Sequence, residues 1–343
     1  MNEIAKQCKQ LKKNFQPKIK DPTQPVSTWS EKDVLDKKIV NTFVIIFRTR
    51  GCTWALKSGC SMCGYFNDSL WKNITDEDFL KQFQKIMEKY QDQKYIKIFT
   101  SGSFLDPKEI KPKIRNKILK TLYETAEKVS VESRPEYITQ NNLSEIKKIT
   151  KTKKFQIGIG LETSNDELRE KIINKGFTYE EYKKSIKNLK KYNYTSKTYV
   201  IVKPPSLTEK ESINDSIQTI KKIKNLTETI SLNPINIQKN TVVEYLWKRK
   251  QYRPPYLWSI QEILKQGKKI TPDKRIQCSI VGGGSPRGAH NCKKCDKKIL
   301  KSINDFSLKQ DTKILKKQDC ECYNKWLDLL EIEKLSFGSI VDI

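Results

Sequence analysis

The chain contains a single histidine, His290, and three methionines among 343 residues. Imidazole acid–base chemistry therefore has almost nothing to work with. No stretch approaches the eighteen or so consecutive apolar residues that a membrane span requires. The start, Met1-Asn2-Glu3-Ile4-Ala5-Lys6, is polar and charged rather than a secretion signal, so a cytoplasmic location is expected. Acidic residues are also scarce: 40 stand against 67 lysines and arginines, for a formal net charge of +27. The imbalance points to a polyanionic partner, most simply nucleic acid. Codon bias toward lysine explains part of the composition but not the acidic deficit. A lysine run beside a bulky apolar helix face is missing too, which argues against an acidic membrane surface.

What the chain has instead is cysteine in clusters. Nine cysteines fall as Cys52/Cys60/Cys63, Cys278, Cys292/Cys295 and Cys320/Cys322, with Cys8 alone. Without a secretion signal this pattern argues for metal ligation rather than disulfides. The first trio is spaced C-x7-C-x2-C and follows the apolar run Phe43-Val44-Ile45-Ile46-Phe47, which reads as a buried strand. Three thiolates from one loop can hold three irons of a 4Fe-4S cube and leave the fourth open to a chelating ligand. Three-quarters of a structural zinc site, or unrelated buried thiols, are the plainer alternatives.

Residues 1–38 carry lysines, Pro17, Pro22 and Pro25 and little periodicity, and read as a basic N-terminal arm. From 39 to 235 strands and helices alternate. Strands are expected at 43–47, 95–100, through 131, at 155–161, 198–202 and 229–232. Helices are expected near 75–90, 114–129, 142–150, 165–174, 179–192 and 208–225, the first opened by Thr75 with Asp78 three residues on. Six strands with helical crossovers imply an α/β fold, a partial (βα)6 TIM-like barrel with a parallel sheet. Working residues then belong at the strands' carboxyl ends. There stand Cys52, Ser101-Gly102-Ser103, Glu132-Ser133-Arg134, Glu162-Thr163 and Lys203-Pro204-Pro205.

Residues 236–343 form the expected C-terminal basic, aromatic and zinc-binding region. In Trp247-Lys248-Arg249-Lys250-Gln251-Tyr252-Arg253-Pro254-Pro255-Tyr256-Leu257-Trp258, cations and aromatic rings interleave as loop or single-stranded RNA requires. An amphipathic helix with Tyr245, Leu246 and Trp258 in the core is the alternative. Further on, the C-x2-C knuckle of Cys292 and Cys295, with sulfur on both sides, signals a tetrahedral zinc. One of Cys320 or Cys322 is expected next, and Cys278 or His290 as the fourth ligand. Between these, Gly282-Gly283-Gly284-Ser285-Pro286-Arg287-Gly288 reads as a flexible turn with an exposed arginine, without the Lys-Ser/Thr of a P-loop.

The cysteine loop with Gly64-Tyr65, Thr100-Ser101-Gly102-Ser103-Phe104-Leu105-Asp106, Val131-Glu132-Ser133-Arg134-Pro135-Glu136-Tyr137-Ile138 and Ile159-Gly160-Leu161-Glu162-Thr163 together resemble the elongator-type branch of the radical SAM superfamily. The Gly-Gly-Gly-x-Pro-Arg-Gly-x-His-Asn-Cys-x-x-Cys-Asp tail extends the resemblance to that branch's archaeosine synthase radical SAM subunits, over roughly residues 40–325. The resemblance implies a 4Fe-4S cluster on Cys52, Cys60 and Cys63 that cleaves S-adenosylmethionine to methionine and a 5'-deoxyadenosyl radical. It implies a lyase acting on a lysine-modified 7-deazaguanine in the D arm of tRNA, and a partner lysine transferase of the transglycosylase type. Ser101, Gly102 and Ser103 would meet the methionine amine, and Glu132, Arg134, Glu162 and Arg169 the ribose or carboxylate. The superfamily's usual C-x3-C-x2-C is lengthened here, which leaves the loop's path open. A methylthiolating or acyl-transferring relative, or a non-catalytic zinc-bearing RNA-binding protein, would share parts of this pattern.

Overall fold

A computed structural model describes residues 3–13 and 15–335; the last eight residues of the expected C-terminal region lie outside them. Eight strands build one sheet in chain order: β1 (Ser27–Leu35), β2 (Lys38–Ile46), β3 (Tyr95–Phe99), β4 (Lys128–Glu132), β5 (Lys154–Glu162), β6 (Thr195–Val202), β7 (Thr229–Pro234) and β8 (Arg275–Cys278). β1 and β2 are an antiparallel hairpin, and every later pairing is parallel. The sheet curls into a partial barrel. Its two edges meet at the base, where Arg275 of β8 reaches Asp33 of β1 at 2.6 Å.

The helices are α1 (Glu3–Lys13), α2 (Thr53–Lys57), α3 (Asp76–Met87), α4 (Pro112–Thr125), α5 (Gln140–Thr150), α6 (Asp166–Leu168), α7 (Tyr179–Lys191), α8 (Glu209–Ile223), α9 (Val242–Lys248), α10 (Leu257–Ile270), α11 (Asp296–Lys309) and α12 (Cys322–Ile332). Threonines cap several of them. Thr75 accepts from the Asp78 amide, as its spacing predicts, and Thr178 with Glu181 and Thr208 with Glu211 form full capping boxes.

The strands alternate. Ile96, Ile98, Val129, Val131, Ile157, Ile159, Val200, Ile230, Leu232 and Ile276 face outward into one continuous core under the helices. Their neighbours, Lys97, Ser130, Glu132, Gln156, Lys197, Tyr199, Ser231 and Gln277, fall on the opposite, lumen face of the period-two strands. Burying those ten or so aliphatic side chains at about 1.5–3 kcal/mol each is what closes the helical layer over the sheet.

Two expectations are corrected. Residues 1–38 are not simply extended: α1 and β1 lie within them. The β1–β2 turn places Asp36 and Lys37 at φ 49° and 65°, a two-residue geometry that usually recruits glycine. The parallel series has seven strands rather than six, because β8 returns from the C-terminal region to pair with β7.

Candidate active site and candidate metal centre

The chain leaves β2 through Gly51, whose φ of 108° suits glycine and whose Cβ would lie 2.8 Å from the Ser69 hydroxyl. Cys52 then stands at the N-terminus of α2, so the long first gap between cysteines is a helical turn rather than a floppy loop. That turn is fastened from outside. Lys12 of α1 donates to the carbonyls of Ala55, at 2.7 Å, and Ser58. Asn174 donates to Ser58 Oγ and the Gly59 carbonyl at 2.7 and 2.6 Å, and Trp54 Nε1 returns a bond to the Asn174 carbonyl. The Gly64 amide, just past Cys63, donates to Gln238.

All three thiols are partly accessible. Burial pushes Cys52 up to about 11, the Glu109 charge adding to the effect and Arg134 opposing it. Burial pushes Cys63 up to about 12, reinforced by its neighbours Cys60 and Cys52 and opposed by Lys175. The loop thus holds thiols that a cation must ionise, with Arg134, Lys175 and Lys12 arranged around them. Among the described residues, the four tail cysteines are the only group of three or more metal-binding side chains with all ligand atoms within 4.8 Å of one another. The loop trio is spread too widely for one tetrahedral ion.

The β3 end lies directly on this loop. A Cβ on Gly102 would be 2.7 Å from Cys52 Cα, so only glycine permits the approach. Ser101 Oγ faces the Tyr65 carbonyl at 3.4 Å. Ser103 is buried; its amide donates to Glu109 at 2.6 Å and its hydroxyl accepts from the Arg134 amide at 3.0 Å, so it ties strand ends together. Glu109, absent from the sequence expectations, is the hub of this tie. It also accepts from Thr49 Oγ1 at 2.7 Å, and burial raises it to about 7.

Arg134 lies over the Trp54 ring, 5.3 Å from its centroid, with Nη1 on the Lys175 carbonyl at 2.9 Å and Nε on Glu136 at 2.5 Å. Glu162 follows a bulge in β5, with φ 69°, and pairs with Lys175 at 2.5 Å. Gly160 leaves room for that pair, since its Cβ would sit 2.7 Å from both partners' charged atoms. Glu132 stands deeper in the barrel beside Tyr199 and Lys197. Arg169 is fully buried, donates to the Thr163 and Phe177 carbonyls and pairs with Asp166.

In the tail, Cys292, Cys295, Cys320 and Cys322 converge. Sulfur–sulfur distances run from 3.4 to 3.8 Å, as around a single tetrahedral ion. Trp258 Nε1 and Asn291 Nδ2 approach Cys322 and Cys295 at 3.4 and 3.5 Å, the outer contacts expected of a thiolate site. Both Cys320 and Cys322 belong to the group, and neither Cys278 nor His290 does. Cys278 is buried in the core at the end of β8, and burial alone holds its thiol well above the usual range. His290 Nδ1 instead meets the Gly288 carbonyl at 2.8 Å.

The basic, aromatic stretch divides. Tyr252 and Trp258 are core, whereas Tyr245 is exposed with the Arg249 guanidinium 3.5 Å from its ring centroid. Arg287, expected to be free, pairs with Glu244 at 2.7 Å and donates to the Ile237 carbonyl. A groove of about 900 Å³ lined by Ser164, Asp166, Lys171, Asp215 and Lys222 contains no thiol, so concavity alone would misplace the chemistry.

A family model described as the radical SAM superfamily matches residues 46–220. The chain is 40% identical over 340 residues, 98% of each protein, to an archaeosine synthase subunit beta of Methanosarcina acetivorans. It is 36% identical over 310 residues, 88% of this chain and 96% of the relative, to an archaeosine synthase subunit beta of Thermococcus kodakarensis. Among solved structures, the archaeal Methanocaldococcus infernus Elp3 with an N-terminus deletion aligns at a TM-score of 0.48 and 14% identity, over 67% of this chain and 58% of that one.

Proposed function

This chain belongs to the radical SAM superfamily, among the archaeosine synthase beta subunits, and we propose that it is a carbon–nitrogen lyase acting on tRNA. The substrate in this reading is a lysine-modified 7-deazaguanine in the D arm. Cleavage of the bond between the lysine nitrogen and its carbon chain releases the lysine skeleton and leaves archaeosine's amidine on the base.

One observation carries the reading: Cys52, Cys60 and Cys63 sit at the carboxyl end of β2, with Gly102 packed on Cys52 and three cations around the thiols. Bound there, a 4Fe-4S cluster with S-adenosylmethionine on its open iron supplies a carbon radical by reductive cleavage. The chain's own residues orient and enclose. Ser101 and Gly102 line the side of the loop where the amino group of S-adenosylmethionine would lie, and Arg134 and Glu162 would take its carboxylate and ribose. Ser103, Glu109 and Arg169 keep those strand ends in place.

The tail cysteines would hold zinc, whose four thiolate ligands suit a closed structural site. The +27 charge and the exposed Tyr245–Arg249 stack support a nucleic-acid substrate. A lysine transferase of the transglycosylase type would install the lysine, and the word subunit in the relatives' names supports a complex with such a partner.

Anaerobic reconstitution followed by iron, sulfide and zinc analysis tests the site. Four irons and one zinc per chain, with reductant-dependent consumption of S-adenosylmethionine, are expected. Iron bound in place of zinc at the tail alone, with no cofactor cleavage, would overturn it.

A further inference from the structure

Below the cysteine loop the barrel does not fill with aliphatic side chains. Thr198 of β6 faces outward, its hydroxyl 2.7 Å from that of Tyr182 in α7, so its neighbours Lys197 and Tyr199 face the lumen. Glu132, Gly158 and Lys197 are register partners across β4, β5 and β6. Because Gly158 has no side chain, the Tyr199 ring lies against its backbone, where a Cβ would be 2.8 Å from the ring, and the phenol can bond Glu132.

Lys197 is only 4% exposed, yet among the described residues its ammonium has neither a hydrogen-bond acceptor nor an ion-pair partner. The nearest carboxylate below it, Asp33, is already taken by Lys97 and Arg275. Glu132 likewise has the Tyr199 phenol but no paired cation. The two groups therefore stand two strand spacings apart, roughly 10 Å between backbones, with the Tyr199 ring on Gly158 between them and opposite charges facing the lumen above it. Gln277 Oε1, also on the lumen face, is buried without a donor.

We propose that this lumen is the pocket for the amino-acid end of the substrate's lysine chain, Lys197 receiving the α-carboxylate and Glu132 the α-ammonium. The assignment rests on the tRNA reading above and says where the lysine goes. A zwitterion is the chemical class that satisfies both groups at once. A phosphate would meet Lys197 but be repelled by Glu132, and the floor of Asp33, Lys97 and Arg275 closes the lumen to a polymer chain. Burial supports the same conclusion. It pulls Lys197 down to about 7, Lys97, Lys128 and Arg275 adding to the effect and Asp33 opposing it, and pushes Glu132 up to about 6 against its Tyr199 bond and the Lys197 and Lys175 charges. Lys197 and Lys175 act on Glu132, and Asp33 on Lys197, only through space, and among the described residues no ion pair holds either group against a bound amino acid. The ε end, which carries the modified base, then points up the barrel toward the cysteine loop.

The test uses the full reconstituted chain and two probes: L-homoarginine, an amidino-substituted lysine, and 5-guanidinopentylamine, which lacks the carboxylate. Calorimetry should show homoarginine bound by the wild type at least tenfold more tightly than by Lys197→Met, and the carboxylate-free probe bound equally weakly by both. Glu132→Gln, which keeps a bond to Tyr199, should also weaken homoarginine. Equal homoarginine affinity in wild type and Lys197→Met, or none in the wild type, overturns the pocket. Turnover of lysine-modified tRNA separates this from the parent reading. Unaltered turnover by Lys197→Met overturns the pocket and leaves the lyase. Lys197-dependent homoarginine binding by a wild type that leaves the tRNA unchanged supports the pocket and overturns the lyase.

Discussion

Replacing Lys197 by methionine should make the ligand-free protein more stable, and by more at low pH than at high. The side chain is buried and, among the described residues, its ammonium has no ion-pair partner, which is costly. A lysine pulled from its ordinary 10.5 to about 7 costs about 5 kcal/mol at pH 6 and about 2 kcal/mol at pH 9 by proton linkage. The cost is fully present below about pH 7. Stability rises with pH between the two values, since the unfolded chain there binds more protons than the folded one. Relaxation of the lumen and water entry remove about half of it, leaving a gain of about 2–3 kcal/mol at pH 6 and about 1 kcal/mol at pH 9. Methionine keeps the length of the stem and fills irregular space well. For 343 residues, at about 2 cal/mol/K of unfolding entropy per residue, the pH 6 gain is about 3–4 °C in Tm. Calorimetry of the metal-loaded protein at both pH values reads this directly. A lower Tm at both, or the same gain at both, would refute the reasoning. A residue that weakens the fold while completing a site is the usual trade between stability and function.

Other perturbations give distinct outcomes. Lys12→Met removes the donor to the Ala55 and Ser58 carbonyls; stability should fall by about 1–3 kcal/mol, with a shift in the cluster's electron paramagnetic resonance signal rather than loss of the barrel's circular dichroism. Gly158→Ala places a methyl 2.8 Å from the Tyr199 ring, which should cost about 1–3 kcal/mol and weaken homoarginine binding while leaving the iron content at the wild-type level. Gly102→Ala presses on Cys52 and should instead lower iron per chain, measured by colorimetric iron analysis. Cys320→Ser should release the tail metal and lower stability by about 3–5 kcal/mol. Metal content and protection of α11 and α12 in hydrogen exchange check it.

The barrel was legible because hydrophobic runs and helical spacing alternate along the chain, and the strand ends then gathered the cysteine loop, Gly102, Arg134 and Glu162 at one mouth. The β1–β2 hairpin was not, since its Asp36-Lys37 turn carries no glycine despite its positive φ values. β8 is only four residues long and follows a break in the rhythm. The tail ligands were partly hidden because spacing cannot say that Cys278 is drawn into the core by β8 while α12 carries Cys322 back to the knuckle. The lumen has a signal of its own in the sequence. Lys97, Ser130, Glu132, Gln156, Lys197, Tyr199, Ser231 and Gln277 alternate with aliphatic residues, whereas parallel strands covered on both faces read as continuous apolar runs. Only the register, which lines up Glu132 and Lys197 across Gly158, shows that these polar positions oppose each other.

The most direct measurement is mass spectrometry of the nucleosides from lysine-modified tRNA after anaerobic incubation with the reconstituted chain, S-adenosylmethionine and a reductant. Conversion of the lysine-bearing 7-deazaguanosine to its amidine, abolished by Cys60→Ala, is the expected result. An unchanged lysine-bearing nucleoside alongside modification of a different base would contradict the assignment.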